Sequence, residues 1–571
     1  MSTGTDDNAS TDDLRSALAH ALAELEKLRA ENSRLTDVIR ALQERASGKK
    51  PGGGGSSGGV QSEHERLRKK AEAQRVGKRR RAAARAAAKP TLRERGKRSV
   101  RPPFVADEVI EIDIPATARP VDARPNGFVS RGFYGVRIKR HNVLVKLREY
   151  ISPTEGRLVA KLPEGWSGEY TPDTRVTIMS LNIGGMTEPK IRELFGDHDV
   201  KVSAGQINNV LLATADSLYE EKRAAHRAGM EHSPVVGIDG THSTCDGDPM
   251  VCHIVGNEVF TSMTTTEHKD RVTVIGVLAG EPVGHRVGED ALEHPALGVA
   301  AREILRRVVD DEPVLAGADA ELTALSTELR TSGLDATKMA RFLSRAMPAA
   351  GAETLRAMLE ATALQWLQAV LACLPIVMLA DGGTNYHGIL AVLQLCWIHA
   401  LRPYSLMPEG TDSERVLREG WVLYRRLCDW RVAPDPSDIA SIEAEFDRVF
   451  DPGRCDDRDV RHAVESTRGS KRALLALLQH PEVSADNNGS ERDAKVRVRK
   501  RDISGGPRSL RGLRAWDTMQ SVTATLRKLK ISPVAFHADR ISGRGRFARL
   551  DVLVRNACIL RYGPRQATGT V

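Results

Sequence analysis

The stretch SPVVGIDGTHSTCDGDPMVCHIVGNEVF, residues 233–260, places a β-branched run, a Gly/Asp/Pro turn and a second apolar run in succession. Val, Ile and Thr suit a pleated surface and Asp-Gly-Asp-Pro suits a reversal, so the stretch predicts a hairpin of two strands. Asp239 falls in the middle of the first strand. Asp246 and Asp248 are rival acids, but they belong to the turn, where acids are commonly solvated. His242, Cys245, Cys252 and His253 crowd the same hairpin, yet their spacing matches no familiar metal site and they read as strand residues.

Downstream, a long helical region is expected over roughly 287 to 370, followed by LPIVMLADGGTNYHGIL, residues 374–390. Here a fully apolar strand ends in Asp381 and a glycine pair. A carboxylate at the C-terminal end of a buried strand lies at the edge where open α/β sheets hold their ligands. The next apolar stretch, LQLCWIHALRPY at 393–404, reads as another strand and brings Trp397, His399 and Arg402 into that neighbourhood.

A third acid opens SERDAKVRVRKR, residues 490–501, where Glu491 precedes six basic residues. Locally, Asn488 followed three residues later by Glu491 fits a helix N-cap with its capping-box partner. The alternation in KVRVR also suits an exposed strand, which leaves the end of the Glu491 helix open. The second possibility for Glu491 is a distant set of partners, Asp239 and Asp381. Three carboxylates gathered in one place repel one another and need cations to stay ionised. Oxygen-only ligands select hard ions, Mg2+ or Mn2+. Two such ions about 4 Å apart can clamp the attacking and leaving oxygens of a phosphoryl transfer.

The net charge of +9 is not evenly spread. Residues 66–101 hold 16 Lys and Arg against 2 acidic residues, a local excess of +14, so the remainder carries −5. Such a segment, with Lys78, Arg79, Arg80 and Arg81 at its centre, binds phosphate backbones without reading sequence; the alternative is a solvated tail. Ahead of it, Leu14, Leu18, Ala21, Leu25, Leu28, Asn32, Leu35, Ile39 and Leu42 follow a 4, 3, 4, 3 spacing, the seam of a coiled coil. Asn32 at a seam position favours a parallel dimer. The GKKPGGGGSSGG linker separates seam from basic segment, which argues against a basic-zipper regulator.

EVIEIDI at 108–114 and NVLVKLREY at 142–150 alternate as strands do and suggest a small β module. Residues 186–216 read as helix, turn and helix, with Thr187 and Ser203 as N-caps and Ser203 with Gln206 as a capping box. This is either a helix-turn-helix that enters a DNA groove or an ordinary helical hairpin. At 571 residues the chain is too long for one core. Its 7 cysteines include no CxxC pair, which excludes a zinc ribbon and a disulfide framework. The longest apolar run, residues 364–380, is broken by Gln365, Gln368 and Pro375, and no signal peptide is evident. The expectation is a soluble, cytoplasmic, nucleoid-associated protein with no membrane partner.

GIDGTHS, LADGGTNYHGIL, LCWIHALRPY, SADNNGSERDAKVRVRKRDISGGPRSLRG and AWDTMQSVTATLRKLKISPVAF resemble the successive blocks of DDE transposases, most closely those of the insertion sequence sixty-six family. The resemblance covers roughly residues 230 to 535, and the coiled coil agrees with it. It implies an α/β fold with a ribonuclease-H-like mixed-sheet core, in which Asp239, Asp381 and Glu491 hold two Mg2+ or Mn2+ ions. It implies a helical insertion before the Glu helix, for which residues 415–450 are suited. The expected division is coiled coil 1–48, linker and basic segment 49–105, β module 106–170, helical hairpin 171–230, core 231–405, insertion 406–480, Glu helix 481–535 and tail 536–571. DNA, both element ends and target, would be the substrate of strand cleavage and strand transfer. A homodimer or larger assembly and accessory transposition proteins would be partners. Arg402, Arg492, Lys495 and Arg499 would contact phosphates. Trp397 and His399 would stand behind the metal-holding acids or stack on DNA, or else be a core indole and a core imidazole.

Two features depart from the family. The first acid is followed by Gly240-Thr241 where Glu-Thr is common, and no cysteine precedes Cys245, so the β module lacks the ligands of the zinc module often found there. Two other functions remain open on the residues alone: a non-catalytic DNA-binding descendant, and a ribonuclease-H-like nuclease that cuts without joining.

Overall fold

The computed structural model describes residue 106, residues 108–113, residue 131, residues 139–315, residue 317 and residues 320–565. The expected coiled coil at 1–48, the linker, and the basic segment with Lys78, Arg79, Arg80 and Arg81 lie outside the described residues. Among the described residues no helix is long and apolar enough to cross a membrane.

Of the expected β module, the described part contains one hairpin, β1 (Glu149–Ser152) against antiparallel β2 (Gly156–Val159). Residues 108–113 and 141–148 form no strand despite their alternation. Val109, Ile112 and Leu144 are all exposed, so no packing surface holds these stretches as strands.

Three helices follow: α1 (Pro172–Ile183), α2 (Glu188–Asp197) and α3 (Ala204–Glu231). Ile178, Ile191, Phe195, Val202 and Ile207 form their shared core. The Ser203 capping box is complete: Gln206 N donates to Ser203 Oγ at 3.1 Å and Ser203 N donates to Gln206 Oε1 at 2.9 Å. Thr187 occupies an N-cap position without a capping bond from its side chain.

The 233–260 stretch is the expected hairpin, β3 (Val235–Cys245) and β4 (Asp248–Gly256), turning at Asp246-Gly247, both of positive φ. With β5 (Thr261–Thr266), the helix α4 (Arg271–Ala279), and two later strands it belongs to a five-stranded sheet. Between α4 and those strands the chain forms a separate compact unit, Gly284–Trp366. Its two-residue strands β6 (Gly284–His285) and β7 (Leu334–Asp335) pair antiparallel, and its helices enclose Leu305, Leu325, Leu329, Met339, Phe342 and Met358. The helical region expected at 287–370 is therefore present, but it divides the 231–405 span, which is not one continuous core.

The sheet resumes with β8 (Val377–Ala380) and β9 (Val392–Leu395). The strand order is β5-β4-β3-β8-β9, antiparallel on the β5 side and parallel from β3 to β9. All four residues of β8 are buried, as a central parallel strand covered on both faces requires. The stretch expected as one strand at 393–404 turns into two short helices, Trp397–Ala400 and Arg402–Leu406, after only its first three residues. The helical insertion is present as Thr411–Val432, Ile439–Val449, Arg458–Gly469 and Lys471–Leu474. The expected C-terminal tail is two helices, Pro533–Ser542 and Leu550–Tyr562. Leu550, Val554 and Cys558, spaced by helical turns, are buried, and Leu550 N donates to Glu221 of α3 at 2.6 Å.

Two further helices hold the sheet: α5 (Asn488–Ser504) and α6 (Leu510–Lys528). β5 is an end strand, and its outward N–H groups would be unpaired without α6. Thr265 N donates to Asp517 Oδ2 at 2.7 Å, Met263 N to Ser521 Oγ at 2.8 Å and Thr261 N to Thr525 Oγ1 at 3.1 Å. Acceptors four residues apart rise about 6 Å along a helix, close to the roughly 6.7 Å of two strand residues, so the ladder stays in step. Arg497 of α5 is wholly buried and joins this ladder. Its guanidinium pairs with Asp517 at 3.0 Å and donates to Ser243 of β3 at 3.2 Å and Thr265 of β5 at 2.9 Å.

Removing one partner of a buried pair strands the other charge. Arg497→Met is therefore expected to destabilise this part of the protein by about 3–5 kcal/mol in urea unfolding. Adding Asp517→Leu should recover part of that loss. A loss below about 1 kcal/mol, the level of a surface pair, would contradict the anchoring role.

Candidate active site

The β3–β8 register pairs Val235 with Val377 and Gly237 with Leu379. The pairing ends there; Asp381 directly follows β8, and its charge reaches Asp239 on β3. The β8–β9 register ends at Ala380 and Leu395, so the next position in the row is Cys396, whose N donates to Ala380 O at 2.9 Å. Asp239, midway along β3, and Asp381, just past the end of β8, thus lie on adjacent parallel strands.

Helix α5 brings the third acid. Its N-cap is Asn487, not the expected Asn488, and it forms no side-chain capping bond. Asn487 Nδ2 instead donates to Ile238 O on β3 at 2.9 Å. Gly237 permits this approach, since a Cβ there would lie 3.0 Å from Asn487 Oδ1 and 3.1 Å from Ser490 Oγ. Ser490, Ala494 and Arg497 are the buried face of α5, and Glu491 turns toward the strand ends. The capping box is absent, and the charge of Glu491 reaches Asp239.

The other two acids act on Asp239. The Asp239 carboxyl is pushed up to about 6, first by burial and then by the charges of Asp381 and Glu491, against the pull of the Gly240 N–H and Lys269. Gly240 N donates to Asp239 Oδ1 at 2.8 Å, and Gly383 N donates to Asp381 Oδ1 at 3.2 Å. Glu491 Oε1 is buried and accepts no hydrogen bond from the protein.

Several neighbours were not evident in the sequence. Lys269, in the loop after β5, places Nζ 4.0 Å from Asp381 Oδ2 and 5.4 Å from the Tyr386 ring centroid. A Cβ on Gly240 would meet Lys269 Cε at 3.1 Å, so the glycine gives this lysine room. Tyr386 is buried, and burial followed by the charges of Asp381 and Asp239 raises its hydroxyl pKa. No spacing rule points to Lys269 or Tyr386. Cys396 and His399, three apart at the start of a helical turn, carried a signal that the strand reading obscured.

His399 is half-buried, with Nδ1 3.9 Å from Glu491 Oε1. Trp397 is wholly buried; its indole N–H donates to Leu474 O at 2.8 Å and its ring meets Phe446 edge-on. It is a core indole and cannot stack on DNA. Arg492, Lys495 and Arg499 are exposed along one side of α5, while Arg402 is half-buried. His253 is buried with Nε2 at 2.9 Å from Thr266 Oγ1, His242 is exposed, and the hairpin's His and Cys residues do not gather.

The carboxylates of Asp239, Asp381 and Glu491 come from separate elements and are oxygen donors of the kind hard divalent cations take, although their oxygens do not all lie within 4.8 Å of one another. Asp239, Asp381 and Glu491 would hold them.

The fold defines an α/β protein with a five-stranded mixed sheet, on which Asp239 lies in a strand and Asp381 just past the end of its neighbour. No family model matches the chain. It is 27% identical over 327 residues to the uncharacterized protein y4jO of Sinorhizobium fredii (strain NBRC 101917 / NGR234), a match spanning 55% of this chain and 94% of that protein.

Because the folded-state value for Asp239, about 6, lies above the ordinary 3.8, the folded protein binds the extra proton between them. This group's contribution is thus most favourable below about pH 3.8 and is lost as pH rises toward 6. In metal-free buffer at pH 7, Asp239→Asn, which keeps an acceptor for Gly240, should be more stable by roughly 1–3 kcal/mol. The gain should shrink toward zero near pH 4 in paired thermal melts; an unchanged difference across that window would refute the electrostatic origin.

Proposed function

We propose that this protein is a DDE-type DNA transposase resembling the insertion sequence sixty-six family, with a ribonuclease-H-like core. One observation carries the reading: Asp381 at a strand end and Glu491 on a helix, far from Asp239 in the chain, join burial in raising the Asp239 carboxyl by their charges. The mixed sheet and the helical insertion ahead of the Glu491 helix support it.

Bound Mg2+ or Mn2+, as two ions, would neutralise the charge that develops on the phosphate and on the attacking and leaving oxygens. The chain's own residues do the positioning. Asp239 and Asp381 are fixed by backbone N–H groups, and Glu491 by the anchored face of α5. Lys269 keeps a cation beside Asp381. Arg492, Lys495 and Arg499 offer an exposed basic row to the phosphate backbone, a role that exposed arginine and lysine fill without reading sequence. The substrate would be the element's DNA ends, cut to free a 3′-hydroxyl that then attacks target DNA. The basic segment around Lys78–Arg81 would tether DNA, and the N-terminal heptads would pair two copies. The α2–α3 segment is a second candidate DNA contact.

The test is cleavage and joining of DNA ends taken from the sequence flanking the coding region. Mg2+-dependent cleavage and strand-transfer products are expected. Asp381→Asn should lower cleavage by about a thousandfold or more while DNA binding in a gel shift survives. Cleavage without joined products would favour a nuclease. Binding without cleavage by the unmutated protein, across several end sequences, would favour a non-catalytic descendant.

A further inference from the structure

Among the described residues, Cys396, His399 and Glu491 each bring one ligand-type atom to within 4.8 Å of the others. His399 Nδ1 stands 3.9 Å from Glu491 Oε1. That gap is too wide for a hydrogen bond, which ends near about 3.2 Å. Two coordinate bonds of about 2.1 Å each, one to nitrogen and one to oxygen, can span it. Glu491 Oε1 is buried with no donor from the protein, a costly arrangement for a carboxylate unless a cation faces it.

The imidazole is also held in place. The turn Trp397–Ala400 is fixed by the buried Trp397, whose backbone N donates to Ala485 O at 3.0 Å, just ahead of the Asn487 cap of α5. Cys396 is engaged elsewhere, because Asn487 N donates to its Sγ at 3.4 Å and so ties the β9 end to the N-cap of α5.

We propose that His399 is itself a metal ligand, so that the site is a mixed nitrogen and oxygen donor set on its Glu491 side. This rests on the reading of Asp239, Asp381 and Glu491 as cation holders. An imidazole nitrogen shifts preference away from Mg2+ and toward Mn2+ and, more strongly, Co2+. An all-carboxylate site lacks that bias. Cys396 supports the geometry without contacting the ion.

The experiment loads the full chain with Mn2+ and reads directly bonded nitrogen by pulsed electron paramagnetic resonance. Nitrogen-14 modulation of the imidazole type is expected, replaced by the nitrogen-15 pattern when the protein is grown on nitrogen-15 histidine. That arm needs no substitution, so it stands even if a variant folds poorly. With 16 histidines in the chain, His399→Gln supplies the position: the nitrogen signal should vanish. Co2+ affinity should fall by about tenfold or more and Mg2+ affinity by less than about threefold in calorimetric titration. Bound Mn2+ that shows no nitrogen coupling, and is lost in Asp381→Asn, would overturn the His399 assignment while leaving the carboxylate site intact. Failure of the unmutated chain to bind Mn2+ stoichiometrically would overturn both.

Discussion

The buried Arg497–Asp517 pair is the constraint on which the rest of the site depends. Burying a guanidinium fully is costly unless it is paired and hydrogen-bonded, and Arg497 reaches acceptors on β3, β5 and α6 at once. A helix pinned at one buried residue cannot rotate about its axis without exposing that charge. With Ser490 and Ala494 pressed on the same side, the direction of Glu491 follows from the helical angle. Asp493 adds a second pin, accepting from Thr261 at 2.7 Å and pairing with Lys528 at 2.9 Å. Position in the site is thus decided by contacts made several residues from it, which is how a side chain on a helix is held to within fractions of an ångström.

The same logic explains why the acids tolerate one another. The Gly240 N–H favours the charged form of Asp239, and Lys269 adds one compensating charge. Against these stand burial and two like charges, and for Asp239 the opposing side is larger. Stability alone would favour an amide at one of these positions, so three carboxylates held together are better explained by function than by packing.

Much of this was legible in the chain, for identifiable reasons. The β3–β4 hairpin and β8 were evident because β-branched and fully apolar runs end in strong turn residues. The Ser203 capping box was evident because its two partners are local. The face of α5 was obscured because its buried positions are Ser490, Ala494 and Arg497, which leave no apolar 3.6-residue period to find. The 393–404 stretch misled in the opposite way: it is apolar throughout, and continuous apolarity does not separate a buried strand from a buried helical turn. The ladder Asp517, Ser521, Thr525 was hidden because its partners are backbone groups of β5, which no residue pattern announces. The 108–113 and 142–148 alternations promised strands, but the structure gives them no buried face.

The run Cys396-Trp397-Ile398-His399 shows how packing and chemistry divide one helical turn. Cys396 and His399, three apart, face Asn487 and Glu491, while Trp397 and Leu401, four apart, enter the core. That core is built largely by the insertion, with Phe446, Phe450 and Leu474 against the indole. The insertion contributes none of the three acids, yet it fixes the residue from which His399 projects. Loss of packing at Phe446 would therefore act on the site through the indole, by letting the His399 turn drift relative to α5. An apparently peripheral helical module is in this way part of the apparatus that sets the distance between an imidazole and a carboxylate.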